Sequence, residues 1–367
     1  MINKKNYKKS KVLLWGWFGF ENLGDDLLLY TMLNRVNCEI TVPMKKKYST
    51  IDAKQIKRSY INLLFGFFNN DYLIIGPGGL FPFDNKLKVL IYYIVVTIWS
   101  LVGKKVIFFG VGISEKMSDF SVILWKKIVN KSVLFIPRSD KVLKRIGLNE
   151  SKEVHSMADC VFASDLSFDN AFVEKNKVAI SVANIQEDNI KAFDDSVSNW
   201  TNVVNALIKK GIFVDLIAFT KGADDRMIDA ILSNIQNNEG LVQPIYYKNS
   251  TEVVRRWNKY EFVICMRFHS LVLSILNDVP AIPIAYGHKT LSLAEKSGLG
   301  EYTLVWNVFQ SDYYGEDIAI SATQILEKID LLYKNIDRIR IDERKNKDQL
   351  IESATDSFTQ LKMVLSK

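Results

Sequence analysis

The stretch Glu261-Phe-Val-Ile-Cys-Met-Arg-Phe-His-Ser-Leu-Val-Leu-Ser-Ile-Leu-Asn-Asp-Val-Pro-Ala-Ile-Pro-Ile-Ala-Tyr-Gly-His-Lys289 decides how the fold is read. An apolar run over 261–265 precedes a helical segment over 270–277, and a second apolar run follows over 281–285. Pro280 marks the helix exit. Strand, helix and strand in that order predict parallel sheet, whose ligands sit outside the carboxyl ends of the strands. The first strand delivers Arg267 and His269, two apart and so on one side of an extended chain. The second delivers Tyr286, Gly287, His288 and Lys289 to the neighbouring edge. Two of the chain's three histidines lie here. Taken singly, His269 reads as a structural helix-start histidine and Lys289 as a solvated loop residue. As a set, two cations, two imidazoles and a helix start read as a site.

The same alternation runs along the chain. Further strands are expected at 11–15, 71–75, 105–110, 132–136, 177–183, 211–218 and 242–246. Helices are expected at 25–35, 86–102, 120–130, 139–146, 200–209, 224–236 and 250–258. The fold class is therefore α/β, with two Rossmann-like domains. A length of 367 residues agrees with two domains at about 150 residues each. Residues 1–168 are expected to form the N-terminal domain and 169–317 the C-terminal one, the boundary falling where 164–176 breaks the periodicity. The tail, 318–367, is polar and helical; it either packs across both domains or stands in solvent. Two such domains facing one another make a cleft, a common place for a ligand.

Composition narrows the function classes. Lys and Arg number 48 against 41 acids, a net charge of +7 that is mostly dispersed. No basic–aromatic stripe is present, so no nucleic acid is expected as partner; small anions or an acidic membrane surface suit the charge better. Cys38, Cys160 and Cys265 are odd in number and far apart, with no metal or disulfide spacing, so no metal is expected and the compartment is reducing. The run Val89–Gly103 falls short of the ~20 apolar residues that span a bilayer. It is read as a core helix feeding a strand, with lying against a membrane as the minority reading.

Glycine clusters close several expected strands. Trp15-Gly-Trp-Phe-Gly-Phe-Glu-Asn-Leu-Gly-Asp-Asp26 links the first strand to a helix, and exposed amides at such a start favour anions. Asp25 and Asp26 stand at that helix start; capping is expected of at least one, and the other can face the cleft as a base. Gly76-Pro-Gly78-Gly79 ends the next strand, as a nest of amides for phosphate or carboxylate or as a sharp turn. Gly110-Val-Gly112 ends the third. Arg138 follows a fourth strand, to bind an anion or to pair with Asp140, and Asp159 reads as a partner for loop amides or a basic group. His155 reads as structural. A histidine at a helix start resists protonation, and a bound phosphate reverses that bias, which would let His269 act as an acid.

These motifs, in this order, resemble the polysaccharide pyruvyl transferases. That family shows a Gly-aromatic-Gly…Asn-x-Gly-Asp-Glu start, a Gly-Gly-Gly turn, a Gly-x-Gly strand end, an Arg-Asp, and a late Arg-x-His…Pro…Tyr-x-x-Lys. Here they read Gly16–Asp26, Gly76–Gly79, Gly110–Gly112, Arg138-Ser139, and Arg267-Phe-His269 through Pro280 to Tyr286-Gly-His-Lys289, over roughly 12–300. The resemblance implies a GT-B-like pair of domains with phosphoenolpyruvate as co-substrate and no other cofactor. The acceptor is a sugar of a capsule or exopolysaccharide, or of its lipid-linked oligosaccharide precursor. The place of work is cytoplasmic, at the inner face of the cell membrane where peripheral association is one option. Asp25 would match the catalytic carboxylate, and His269 the catalytic imidazole. Arg138, Lys289 and Arg267, with Gly78, Gly79 and His288, would line the substrate. Asp26 in place of Glu, Pro77, Ser139 and Gly287-His288 depart from the pattern. Two rival readings remain at this point: a nucleotide-sugar glycosyltransferase and a non-catalytic glycan-assembly protein. The first lacks the acid expected inside the helix at 271–276.

Overall fold

The computed structural model describes residues 9–166, 172–184, 190–235, 240–306 and 320–366. The chain divides into two compact units. The first comprises Met1–Glu21, Asp25–Asp165 and Leu350–Lys367, the second Asn22–Gly24 and Leu166–Gln349.

The first unit holds β1 (Lys11–Trp15), most of α1 (Leu23–Arg35), β2 (Glu39–Met44), β3 (Lys54–Lys57), α2 (Tyr60–Phe65), β4 (Tyr72–Ile75), β5 (Gly78–Phe81) and α3 (Lys86–Leu101). It continues with β6 (Lys105–Ile113), α4 (Asp119–Lys131), β7 (Leu134–Pro137) and α5 (Asp140–Ile146). All strand pairings are parallel, in the order β3-β2-β1-β4-β6-β5, with β7 also on β6. The chain leaves β1 towards β2 on one side and β4 towards β6 on the other. The β1/β4 seam is thus the topological switch point, where an α/β sheet leaves a crevice. β1 and β4 are almost wholly buried, as strands covered on both faces must be.

Local chemistry sets the helix limits. Asn85 accepts from the Lys88 amide at 2.9 Å to start α3, and Gly147, at φ +72, ends α5 in the left-handed conformation. α3 buries Val89, Tyr92, Val95, Val96 and Trp99 in a core shared with Trp125 and Phe135. Each such side chain contributes about 1.5–3 kcal/mol of transfer free energy.

The second unit holds β8 (Lys177–Ser181), α6 (Ile190–Lys209), β9 (Phe213–Ile217), α7 (Ala223–Asn234), β10 (Val242–Ile245), α8 (Ser250–Arg255) and β11 (Val263–Cys265). α9 (Phe268–Leu276), β12 (Ala281–Ala285), α10 (His288–Lys296) and β13 (Leu304–Val305) follow. The parallel order β10-β9-β8-β11-β12-β13 puts the switch point between β8 and β11. α11 (Ala322–Leu365) starts in this unit, and from Leu350 it belongs to the first. There Phe358 packs edge-on against Phe109, with ring centroids 4.8 Å apart.

Candidate functional site

Within the first unit, backbone shapes the carboxyl edge of the sheet. Gly76 and Gly78 take φ of +108 and +121, which only glycine adopts readily. The expected loop nest is instead the start of a strand: Gly78 and Gly79 open β5, whose Gly78 pairs with Val111. The cause lies in β6, where a Cβ at Gly112 would stand 3.1 Å from the Gly79 Cα. Two glycine backbones approach here more closely than side-chain-bearing residues ordinarily do. Asp25 borders this turn, its Oδ1 3.5 Å from the position of a Cβ on Gly78.

At the start of α1, Asn22 accepts from the Gly24 amide at 3.0 Å, a capping contact, and donates to the Thr220 hydroxyl at 3.0 Å within the second unit. Both aspartates therefore occupy the first turn of α1, where the helix dipole favours carboxylates.

Arg138 follows β7 as expected, and neighbouring Asp140 pairs with Lys144 at 2.7 Å. Arg138 donates from Nε to the Gly110 carbonyl at 3.0 Å and pairs with buried Asp159 at 3.0 Å. Asp159 also accepts from the Val161 amide at 3.0 Å, so it serves loop and cation together. Ser139 donates to Glu115 at 2.8 Å. His155 contacts Ser357 at 3.2 Å, in keeping with a structural role.

Two cations at this edge were not legible in the sequence. Arg58, just after β3, donates to the Gly16 carbonyl and lies over the rings of Trp15 (4.0 Å) and Trp17 (5.4 Å). Lys88 donates to the Leu80 carbonyl at 2.5 Å. Burial lowers the titration of both. Trp17, 42% exposed, stacks on Phe20 at 3.9 Å, a flat aromatic face at the end of β1.

Within the second unit, side chains shape the edge. Ser181 at the end of β8 contacts the Ser270 hydroxyl at 2.6 Å and accepts from the Met266 and Arg267 amides at 3.1 and 3.2 Å. These bonds fix the β11–α9 junction. The helix begins two residues earlier than expected, at Phe268, so Arg267 is its cap position and His269 lies in its first turn rather than on an extended chain. Arg267 does not project as a ready anion ligand. It forms a two-pronged pair with buried Asp224, which also accepts from the Phe219 and Thr220 amides at 3.0 and 2.9 Å. Burial opposes the charge of Arg267, but Asp224 and Tyr286 more than offset this and raise its titration above the usual arginine range.

His269 packs edge-on against Phe268, with centroids 5.2 Å apart. Its imidazole lies so close to Gly24 that a Cβ there would collide with Nδ1. His288 and Lys289 are not in a loop; they open α10, both exposed, with Lys289 Nζ 5.2 Å from the Phe268 ring centroid. Asn184, three residues past β8, is buried, and among the described residues its amide nitrogen has no hydrogen-bond partner. A buried orphan donor beside a switch point is the feature a ligand oxygen would satisfy. Inside α9, Ser274 is consumed structurally, accepting from Trp257 at 3.1 Å and donating to Ser270 at 2.9 Å. Among the described residues no group of three His, Cys, Asp or Glu could hold a metal, and no helix is long and apolar enough to cross a membrane.

Comparison with known proteins agrees with this architecture. The chain resembles UDP-GlcNAc 2-epimerase from Neisseria meningitidis bound to UDP-GlcNAc (TM-score 0.58, 11% identity, 97% of this chain and 100% of that one). It resembles the S. aureus MnaA–UDP co-structure (0.58, 9%, 97% and 95%) and a glycosyltransferase from Rickettsia africae (0.57, 9%, 98% and 98%). At such identities the likeness shows the fold, GT-B-like with two Rossmann-like domains. A search of curated proteins returns no match. The sequence profile described as polysaccharide pyruvyl transferase matches residues 22–288, well over half of the chain and inclusive of Asp25, Arg138 and His269: the chain belongs to the polysaccharide pyruvyl transferase family.

Proposed function

We propose that the protein transfers pyruvate from phosphoenolpyruvate onto two hydroxyls of one sugar, as a ketal, in a surface polysaccharide or its lipid-linked precursor, and releases phosphate. The observation that carries this reading is that the family region, residues 22–288, holds a carboxylate in the first turn of α1, Asp25, and an imidazole in the first turn of α9, His269, the two groups a proton-transferring addition calls for.

The first sugar hydroxyl adds to the enol carbon, losing its proton to Asp25 while the methylene carbon gains one. The second hydroxyl then displaces phosphate, and His269 delivers a proton to the departing oxygen. The methylene carbon takes its proton from water and the second hydroxyl gives its own up to water, so the two hydroxyls lose two protons and the new methyl group and the phosphate gain two, with no further cofactor. Arg138, held from behind by Asp159 and the Gly110 carbonyl, and Lys289, at the start of α10, anchor the donor's carboxylate and phosphate. Gly78 and Gly79 let a ligand approach backbone, His288 flanks the acceptor, and Asn184 donates to a ligand oxygen. Arg267, engaged by Asp224, positions the start of α9. The Trp17–Phe20 face suits the apolar side of a sugar ring. Holding both reactants aligned supplies ~7–11 kcal/mol in favourable cases.

Phosphate release is followed in protein mixed with phosphoenolpyruvate and candidate glycan precursors. Release that depends on acceptor, and that His269→Ala lowers ~10²–10⁴-fold, is the expected result. A thermal shift with UDP and none with phosphoenolpyruvate would instead favour a nucleotide-sugar transferase.

A further inference from the structure

The first unit carries an apolar face that its own core does not need. α3 is apolar nearly all round: its inner side fills the core, yet Leu87, Ile94 and Leu101, seven residues apart and so in one line, are 68, 46 and 78% exposed. α2 packs beside α3, with Trp99 donating to the Leu63 carbonyl at 2.9 Å, and the chain after it presents Phe68, 75% exposed, beside Phe65 and Phe67. On the other flank, α4 offers Phe120 and Ile123, with Lys127 Nζ 5.8 Å from the Tyr93 ring centroid of α3. Scattered exposed apolar residues are ordinary, but exposed apolar side chains gathered on three neighbouring elements are what an interaction surface would show.

Charge selects the occupant. α3 and α4 carry exposed Lys86, Lys126 and Lys127 and half-buried Lys131, with a single acid, Asp119. Residues 54–68 add exposed Lys54 and Lys57 with no acid. A second copy of the chain would face this strip with the same lysines, and like charges oppose that pairing. An anionic bilayer complements it: aliphatic and aromatic side chains enter the acyl boundary while lysines meet headgroup phosphates. α3 has 16 residues, about 24 Å of helix against about 30 Å of hydrocarbon, so it lies on a membrane and does not span it.

We propose that the α2–α3–α4 face of the first unit docks the protein onto an anionic lipid surface. This inference is independent of the reaction proposed above. The test is co-sedimentation of the full chain with vesicles of phosphatidylcholine alone or mixed with phosphatidylglycerol. Binding to the mixed vesicles, weakened by salt and at least about tenfold by the double substitution Ile94→Ser and Leu101→Ser, is expected. Lys126→Glu with Lys127→Glu should weaken it too, while binding to neutral vesicles stays low. Both pairs contain only exposed residues, so melting temperature and phosphate release with a soluble acceptor should hold. Wild-type protein that stays in the supernatant, or sediments equally after Ile94→Ser and Leu101→Ser, overturns the proposal. So does light scattering that shows a dimer dissolved by that double substitution, which would make the face a contact between copies.

Discussion

The two switch-point edges solve the same problem with different materials. In the first unit the edge is backbone: Gly76, Gly110 and Gly112 admit neighbours closer than a Cβ would comfortably allow, and Gly78 takes a φ of +121. In the second unit the edge is side chain: Ser181, Ser270, Asp224 and Arg267 hold the start of α9 by hydrogen bonds and one internal ion pair. A glycine-built edge fails when an atom is added. A side-chain-built edge fails when an atom is removed.

That contrast can be broken experimentally, most severely in the second unit. Asp224→Ala strips a buried guanidinium pair and two amides of their acceptor and should cost about 3–5 kcal/mol, read as a large drop in melting temperature. In the first unit, Gly110→Ala adds a Cβ at φ +58, 2.5 Å from the Cys160 sulfur, and should cost about 2 kcal/mol in the same assay. Serine substitution at Cys160 does not relieve the backbone term, so Gly110→Ala should remain destabilising in that background.

Smaller effects on stability should accompany larger ones on activity. Asp25→Asn should lower turnover ~10²–10⁴-fold while shifting stability by no more than about 1 kcal/mol, the worth of a first-turn carboxylate. Gly24→Ala drives a methyl group into the His269 imidazole and should lower turnover up to about 100-fold with the fold intact by circular dichroism. Asn184→Ala should leave stability nearly unchanged, since its nitrogen has no partner among the described residues, and raise KM several-fold, by roughly the worth of one hydrogen bond.

How much of this was legible in the sequence follows from burial and range. Strands buried on both faces announce themselves as apolar runs, and β1 and β12 lie where expected, at 11–15 and 281–285. β3, Lys-Gln-Ile-Lys, is a polar edge strand and gave no signal, so Arg58 after it was missed. α6 begins at Ile190 rather than 200 because its first half, with Asp194, Asp195 and Ser196, reads as polar connection. α10 opens with His-Lys-Thr and was read as a loop, which hid that Lys289 stands in a helix's first turn. The positions of Asp25 and His269 at helix starts followed from strand–turn–helix order. The partners of Arg138 and Arg267 did not, because Asp159 and Asp224 are distant in sequence and no spacing rule links them. The orphan amide of Asn184 is likewise a product of packing.

Acceptor-dependent release of phosphate from phosphoenolpyruvate tests the central claim most directly. With a matching glycan precursor, release should equal ketal-linked pyruvate formed, mole for mole, and fall ~10²–10⁴-fold in Asp25→Asn or His269→Ala protein that melts like wild type. Equal release from wild type and both variants, or none with any precursor alongside a clear response to a nucleotide diphosphate, would contradict it.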